Sequence, residues 1–291
     1  MTTLSKSIRP MLAVEMEEKL VKFLPSASLF VQPKLDGIRC LIYQNQFDDQ
    51  SDNKNQIIFQ SRQNKLFEPF VHLLPELQII FKEHPTIILD GELYCHGLGF
   101  ENVTSMVRRA KTRHPDVEKI NYVIYDVIYD MIDQTQSTYG YIQRTNCISS
   151  VAMKHVFFIE TIEVTTMKQI EDAHTHYTGN GYEGIMIRSN GPYKHGRSKD
   201  LLKYKKFKDS EYLVVGHAEG TGAHAGTAIF VCNNGNDKIF NVVMNGPLEK
   251  RRDMLKHVHD YYGKYLTVKY QELSIDGIPR FPIGLGFRID I

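Results

Sequence analysis

Val31-Gln32-Pro33-Lys34-Leu35-Asp36-Gly37-Ile38-Arg39 sets a lysine, an acid, a glycine and an arginine between two apolar runs. Asp-Gly is a turn pair, so the stretch reads as two strands, 29–31 and 38–43, joined at a sharp bend. Taken alone, it describes a surface turn with a solvated Lys34. The second reading makes Lys34 a nucleophile. A free lysine titrates at about 10.4 and is protonated near neutrality, so reactivity requires desolvation or nearby positive charge. Other cations should then converge on it.

The run Asp200-Leu201-Leu202-Lys203-Tyr204-Lys205-Lys206 meets that requirement. On a strand over 201–205, Lys203 and Lys205 face one side and Tyr204 the other. Like charges so placed call for an anion between them; the alternative is a solvated basic edge strand. Carboxylates supply the counterpart. In Ile87-Ile88-Leu89-Asp90-Gly91-Glu92-Leu93-Tyr94, Asp90 and Glu92 share a face at the end of an apolar run, and Glu183 opens the run 182–188. Such carboxylates suit a Mg²⁺ that keeps several waters and shares phosphate oxygens, or each one pairs with a lysine or caps a turn.

Outward from these runs, further strands are predicted over 57–60, 86–89 and 122–128. Helical spacing covers Phe70–Phe81, Val103–Ala110, Tyr139–Ser149 and Met167–Tyr177. The polar stretch Gln44–Gln56 reads as a long hairpin loop. The mixture predicts an α+β domain with antiparallel sheets. Past Lys208-Asp209 come short strands over 212–216, 227–231, 238–243, 265–270 and 283–289, with one helix over Pro247–Tyr262. Five strands and a helix fit a small Greek-key barrel. The boundary is placed between residues 1–208 and 209–291.

Composition narrows the classes. Of 291 residues, 42% are hydrophobic and 24% charged, which excludes disorder as the default. The four cysteines form no CxxC pair, which argues against a disulfide framework or structural zinc and fits a reducing compartment. The first twenty residues lack the long apolar core of a signal peptide or membrane span, so an intracellular, cytoplasmic chain is expected. A net charge of +1 means that a nucleic-acid binder must concentrate its cations locally. Arg108-Arg109-Ala110-Lys111-Thr112-Arg113 does so at a predicted helix end, where cations also complement the helix dipole.

Lys34-x-Asp36-Gly37, Ser61-Arg62, Asp90-Gly91-Glu92, Tyr125-Asp126, Glu183-Gly184 and Lys203-x-Lys205 occur in the order found in covalent nucleotidyltransferases. Together with Tyr193–Ser198 and Pro279–Pro282, the set resembles minimal ATP-dependent DNA ligases of the chlorella virus type, over essentially the whole chain. The resemblance implies an adenylyltransferase domain with ATP-grasp-like antiparallel sheets, then an OB-fold barrel. It implies ATP and Mg²⁺ (or Mn²⁺) as cofactors and nicked duplex DNA as partner. No membrane and no obligatory protein partner are expected, and a monomer is, since no extension beyond the two-domain core is seen.

By the same resemblance Lys34 attacks the α-phosphate and Asp36 orients the reacting groups. Arg39 holds ribose or the nick 5′-phosphate. Arg62 is a phosphate ligand, Glu92 contacts the ribose hydroxyls, and Tyr125 stacks on adenine. Gln32 reads the adenine amino edge. Glu183, with Glu92, binds metal. Lys203 and Lys205 grip the α-phosphate and help keep Lys34 unprotonated. Arg197 contacts the nick, while Arg108, Arg109 and Lys111 contact duplex phosphates. Arg288 and Asp290 orient the pyrophosphate, although the basic residue that ordinarily follows is absent after Ile291. The loop Gly220–Gly226 is shorter than the DNA-encircling hairpin of the chlorella virus enzyme.

An mRNA capping guanylyltransferase shares the Lys-x-Asp-Gly chemistry, but its family favours an Asp-Gly start and a tryptophan where this chain, with no Trp, has Glu183-Gly184 and Lys-Tyr-Lys-Lys. An RNA ligase shares the core and is harder to set aside; the OB-like C-terminal region favours a DNA ligase. An NAD⁺-dependent ligase would need an added domain ahead of Lys34, and a degenerate OB-fold binding module would have lost part of the charged set.

Overall fold

The structure is a computed structural model and describes residues 8–16, 28–45, 56–109, 113–128, 138–146, 148, 150–205, 207–274 and 276–288. Two compact units divide the chain, Met1–Tyr204 and Lys205–Ile291.

In the first unit, period-2 alternation produces two five-stranded sheets. One contains β1 (Met11–Glu15), β2 (Leu29–Lys34), β8 (Ile162–Val164), β9 (Gly184–Ser189) and β10 (Gly196–Tyr204), in the order β1-β10-β9-β2-β8. The other contains β3 (Ile38–Gln44), β4 (Ile57–Ser61), β5 (Ile88–Tyr94), β6 (Asn121–Ile128) and β7 (Val156–Phe158), in the order β4-β3-β5-β6-β7. Each sheet buries one apolar face under helices. Leu73, Leu77 and Phe81, on a 3₁₀ turn and α1 (Leu74–Glu83), and Val103 and Met106 of α2 (Phe100–Arg108) pack with Cys40, Ile42 and Leu89. Ile170 and Ala173 of α4 (Met167–Gly179) pack with Val31, Ile185 and Leu202. The remaining faces meet: Met11 and Leu201 of the first sheet cluster with Leu41 and Ile88 of the second. Polar residues fill the rest of that interlayer.

Local signals explain the helix ends. Thr166 and Gln169 form a reciprocal capping box that starts α4. The helix predicted over Tyr139–Ser149 contracts to α3 (Tyr141–Thr145), because its start is fixed just after Gly140, where Asn190 Oδ1 accepts from the Ile142 N–H at 3.0 Å.

The all-antiparallel expectation is corrected at three places: β1 runs parallel to β10, β7 to β6 and, in the second unit, β13 (Ile239–Met244) to β15 (Ile283–Phe287). These pairs join segments distant in sequence, where no hairpin imposes an antiparallel return. The strands β1, β7 and β8 were missing from the sequence reading for the same reason: each has only three to five residues and is held by distant partners. The Gln44–Gln56 stretch does join a hairpin, with β3 and β4 antiparallel and Asn45 N donating to Gln56 O; its interior lies outside the described residues.

The second unit is a closed barrel of β11 (Lys208–Glu219), β12 (Ala228–Asn233), β13 (Ile239–Met244), β14 (Tyr265–Tyr270) and β15 (Ile283–Phe287), in the order β11-β12-β13-β15-β14. Closure removes the sheet edges. Val214, Phe230, Val242, Leu266 and Val268 fill its core. The helix predicted over Pro247–Tyr262 divides into α5 (Leu248–Lys256) and a 3₁₀ turn, Val258–Tyr261. Among the described residues, no helix is long and apolar enough to cross a membrane.

Candidate active site

Lys34 ends β2 on the inner face, opposite Val31 and Ile185, which face α4. Its ammonium contacts the Glu183 carboxylate, with side-chain exposures of 20% and 6%. The Glu183 N–H also donates to the Lys34 carbonyl at 3.0 Å, so backbone and side chain fix the pair twice. The bend after Lys34 is equally constrained. A Cβ at Gly37 would lie 2.5 Å from the Leu93 carbonyl and 2.8 Å from Glu92 Cγ, so only glycine lets the turn close against β5.

Glu92 is therefore pressed into the site. Burial pushes its carboxyl up to about 7, against the opposing pull of the Lys34 and Arg39 charges. The Tyr125 hydroxyl donates to Glu92 Oε2 at 3.4 Å. The guanidinium carbons of Arg39 and Arg188 lie 5.5 and 5.4 Å from the Tyr125 ring centroid. Arg39 grips Asp90 with two nitrogens, Nε–Oδ1 at 2.8 Å and Nη2–Oδ2 at 2.5 Å, and donates to the Met11 carbonyl at 2.7 Å. Asp90 also accepts from the Tyr193 hydroxyl at 2.6 Å.

Behind Tyr125 lies a buried polar hub. Asp126, fully buried, accepts from Arg144 Nε and Nη2 at 2.7 and 3.0 Å and from Arg188 Nη1 at 2.7 Å. Arg188 Nε donates to Gln32 Oε1 at 2.8 Å. The sequence motifs name Asp126 without a role and do not single out Arg188, Arg144, Tyr141 or Thr161. One signal was available: Arg188 ends the apolar run Ile185-Met186-Ile187, and a buried charge needs a partner.

Strand β10 ends at Tyr204, one residue short of the predicted run, and the Lys205 ammonium just past it donates to Gln271 Oε1 at 3.0 Å. Lys203 pairs with Glu15 at 2.8 Å. Lys203 aligns with Met186, and Met186 with Gln32, so Lys203 shares the inner face with Lys34 across β9. Two strand spacings and two residues of rise separate their Cα atoms by about 12 Å. A described neighbour of Lys34 is thus an anion, Glu183.

The other site candidates are more dispersed. Asp36 sits in the bend beside Gly37, half-buried. Arg62 is exposed on the turn after β4. Arg108 ends α2 and Arg109 follows it, both exposed, while Lys111 lies outside the described residues. Arg197 is exposed on β10, with Nη1 donating to the Ala13 carbonyl at 2.9 Å. Arg288 pairs with Glu211 at 2.7 Å on the barrel; Asp290 is outside the described residues.

A facing-sheet domain with an inward lysine and its carboxylates, followed by a closed five-stranded barrel, is the architecture of a two-domain nucleotidyltransferase. The ATP dependent DNA ligase domain family matches residues 10–205, and the DNA ligase OB-like domain family matches residues 219–288. The chain belongs to the ATP-dependent DNA ligase family. It is 30% identical over 281 residues to the DNA ligase of African swine fever virus (strain Badajoz 1971 Vero-adapted), covering 89% of this chain and 63% of that one. The chain thus spans 63% of that viral relative's length. The fold is shared with the solved structure Pmar-Lig_PreS3, with a TM-score of 0.81 at 22% identity over 97% of this chain and 68% of that one. It is also shared with a structure from work on Lig E DNA ligases that bind DNA with a minimal scaffold, with a TM-score of 0.72 at 20% identity over 96% and 99%.

Proposed function

We propose that this chain is an ATP-dependent DNA ligase that seals 3′-hydroxyl/5′-phosphate nicks in duplex DNA. The observation that carries the reading is Lys34, largely withdrawn from solvent between two facing sheets, touching Glu183 and within the field of Glu92.

The deprotonated Lys34 Nζ attacks the α-phosphorus of ATP. The bond to the bridging oxygen breaks, pyrophosphate leaves, and the nitrogen sheds a second proton as the phosphoramidate forms. A 5′-phosphate oxygen at the nick then attacks that phosphorus, the P–N bond breaks, and Lys34 regains a proton. Finally the 3′-hydroxyl attacks the 5′-phosphorus and releases AMP. Positioning and neutralisation of oxygens do most of this work.

Lys203 and Lys205 would hold the α-phosphate and Arg62 a further phosphate. Arg39 and Arg197 would hold the nick, Glu92 the ribose hydroxyls, and Tyr125 the adenine face. Asp36 would orient the 3′-hydroxyl, and Arg288 with Asp290 the pyrophosphate. Arg108, Arg109 and Lys111 would meet duplex phosphates, giving salt-sensitive binding with little sequence preference. Residues 1–208 would carry the nucleotide chemistry and 209–291 the barrel's share of DNA contact. We place the work inside the cell, on a single chain.

Among the described residues no group of three or more His, Cys, Asp or Glu is placed to hold a metal. Glu183 and Glu92, both beside Lys34, would be the carboxylates offered to a Mg²⁺ (or Mn²⁺) shared with substrate phosphates and water. Such an ion would supply charge neutralisation at phosphate oxygens.

Incubation with α-labelled ATP and Mg²⁺ should label the protein covalently, and Lys34→Ala should abolish the label. A label from GTP in place of ATP would move the assignment to capping chemistry. Persistent labelling of Lys34→Ala would remove Lys34 from the reaction. Nicked duplexes with DNA or RNA strands, assayed side by side, test the substrate; sealing of RNA strands alone would refute the DNA assignment.

A further inference from the structure

Gln32 stands two residues before Lys34 on the inner face, where its amide could read the 6-amino edge of adenine. Its own bonding leaves one lone pair of Oε1 uncommitted, on a side chain withdrawn from solvent. Gln32 is 1% exposed. Its Nε2 lies 3.2 Å from the Tyr125 carbonyl, 2.7 Å from the Tyr141 hydroxyl and 3.0 Å from Thr161 Oγ1. An amide nitrogen carries two hydrogens, and three acceptors already compete for them. The carbonyl oxygen accepts from Arg188 Nε at 2.8 Å. Turning the amide toward a base would strand a buried guanidinium N–H and the groups now facing Nε2, each of which then loses its compensation for burial.

The same two side chains hold both ends of Tyr125. Gln32 donates to its carbonyl, and the Arg188 guanidinium lies 5.4 Å from its ring centroid. Arg188 is itself anchored by Asp126, which Arg144 grips from the other side. The chain of contacts runs from the α3 helix through Asp126 and Arg188 to Gln32, and ends on the aromatic ring. Because a ring face accepts any base, stacking on Tyr125 supplies affinity and not a choice of exocyclic group.

We propose that Gln32 and Arg188 are positioning residues that fix the base-stacking Tyr125, and that neither side chain reads the 6-amino group of the nucleotide. The inference rests on the ligase reading above and refines its nucleotide site. It separates two kinds of failure. A base reader loses discrimination when removed, whereas a positioning residue loses affinity for every purine nucleotide alike.

The test compares self-adenylylation of the full chain with ATP against the parallel reaction with purine riboside triphosphate, which lacks the 6-amino group. Three variants are used: Gln32→Met, Arg188→Lys and Tyr141→Phe. Each should raise KM for both nucleotides by the same factor within about twofold, with kcat changed less than KM. For Tyr141→Phe, which removes one acceptor of the Gln32 amide and keeps the ring, the rise should be about threefold. A collapse of the ATP preference by about tenfold or more in Gln32→Met, or an unchanged KM in Tyr141→Phe, overturns the proposal. If Gln32→Met shows no cooperative melt, Tyr141→Phe and Arg188→Lys decide by the same criteria. Failure of the wild-type chain to label with ATP would instead sink the ligase reading, and this inference with it.

Discussion

Glu92→Gln isolates a carboxyl whose titration burial raises. The native group titrates near 7 because burial penalises its charge, even with Lys34 and Arg39 nearby. In the unfolded chain a glutamate titrates at about 4.3. The folded value is the raised one, so its stabilising contribution is present in full below the unfolded pKa and is lost as pH climbs through 7. Between pH 5 and 8 the two values imply a loss of about 2.5 kcal/mol from this group. Partial solvent access to Glu92 reduces that to about 1–2 kcal/mol. Glutamine keeps the shape and carries no charge. Urea unfolding of both proteins should therefore show the variant gaining about 1–2 kcal/mol on the wild type between pH 5 and pH 8. A difference that stays flat across this range would show that Glu92 is ionised as an ordinary surface carboxylate, and would refute the burial argument. The chemistry has its own signature. If a neutral Glu92 donates to ribose hydroxyls, self-adenylylation by the wild type should carry an inflection near pH 7 that the variant lacks.

Asp126→Asn removes the anion between Arg144 and Arg188 while keeping its size, leaving two buried guanidinium groups uncompensated. It should cost about 3–5 kcal/mol in denaturant unfolding, and a loss under 1 kcal/mol would mean that the hub is solvated. Gly37→Ala forces a methyl within 2.5 Å of the Leu93 carbonyl. Adenylylation should fall by about tenfold or more, since a shift of an ångström at the nucleophile is that damaging. Unchanged kinetics would show that the turn tolerates displacement.

The strands that position the site were legible because their apolar runs are continuous and their turns carry Asp-Gly or Gly. β2, β3 and β6 follow the predicted runs with only small differences at their ends. Apart from the break after α5, the barrel was readable for the same reason. What stayed hidden depends on pairing over long separations. β1 is invisible as a strand until β10, some 185 residues later, lines up beside it and Glu15 meets Lys203. The hub behind Tyr125 was hidden in the same way: Gln32, Asp126, Arg144 and Arg188 come from four elements, and no local pattern in any of them specifies the other three. Gln32 shows the limit of a motif position. Its place before the nucleophile suggests contact with the base, and its partners come from β6, α3, the approach to β8 and the neighbouring strand β9, which no local pattern announces.

Charge is arranged in this site as a set of pairs. Glu183 stands against Lys34, Glu15 against Lys203, Asp90 against Arg39 and Asp126 against both Arg144 and Arg188. An unpaired buried cation is strongly destabilising, so a site built to receive a polyphosphate cannot leave all its positive charges waiting without partners. Carboxylates beside each of these cations, with Asp126 shared between Arg144 and Arg188, offset much of the interlayer's positive charge. On the proposed function, an arriving phosphate would exchange one anionic partner for another. The pairs differ in how readily they can exchange. Lys203 and Glu15 are both substantially exposed, and the Lys34 ammonium is partly so, whereas Asp90 and Asp126 are fully buried. On the proposed function, the two lysines would be the partners able to switch to substrate, and the buried aspartate pairs the frame that holds the wall of the site.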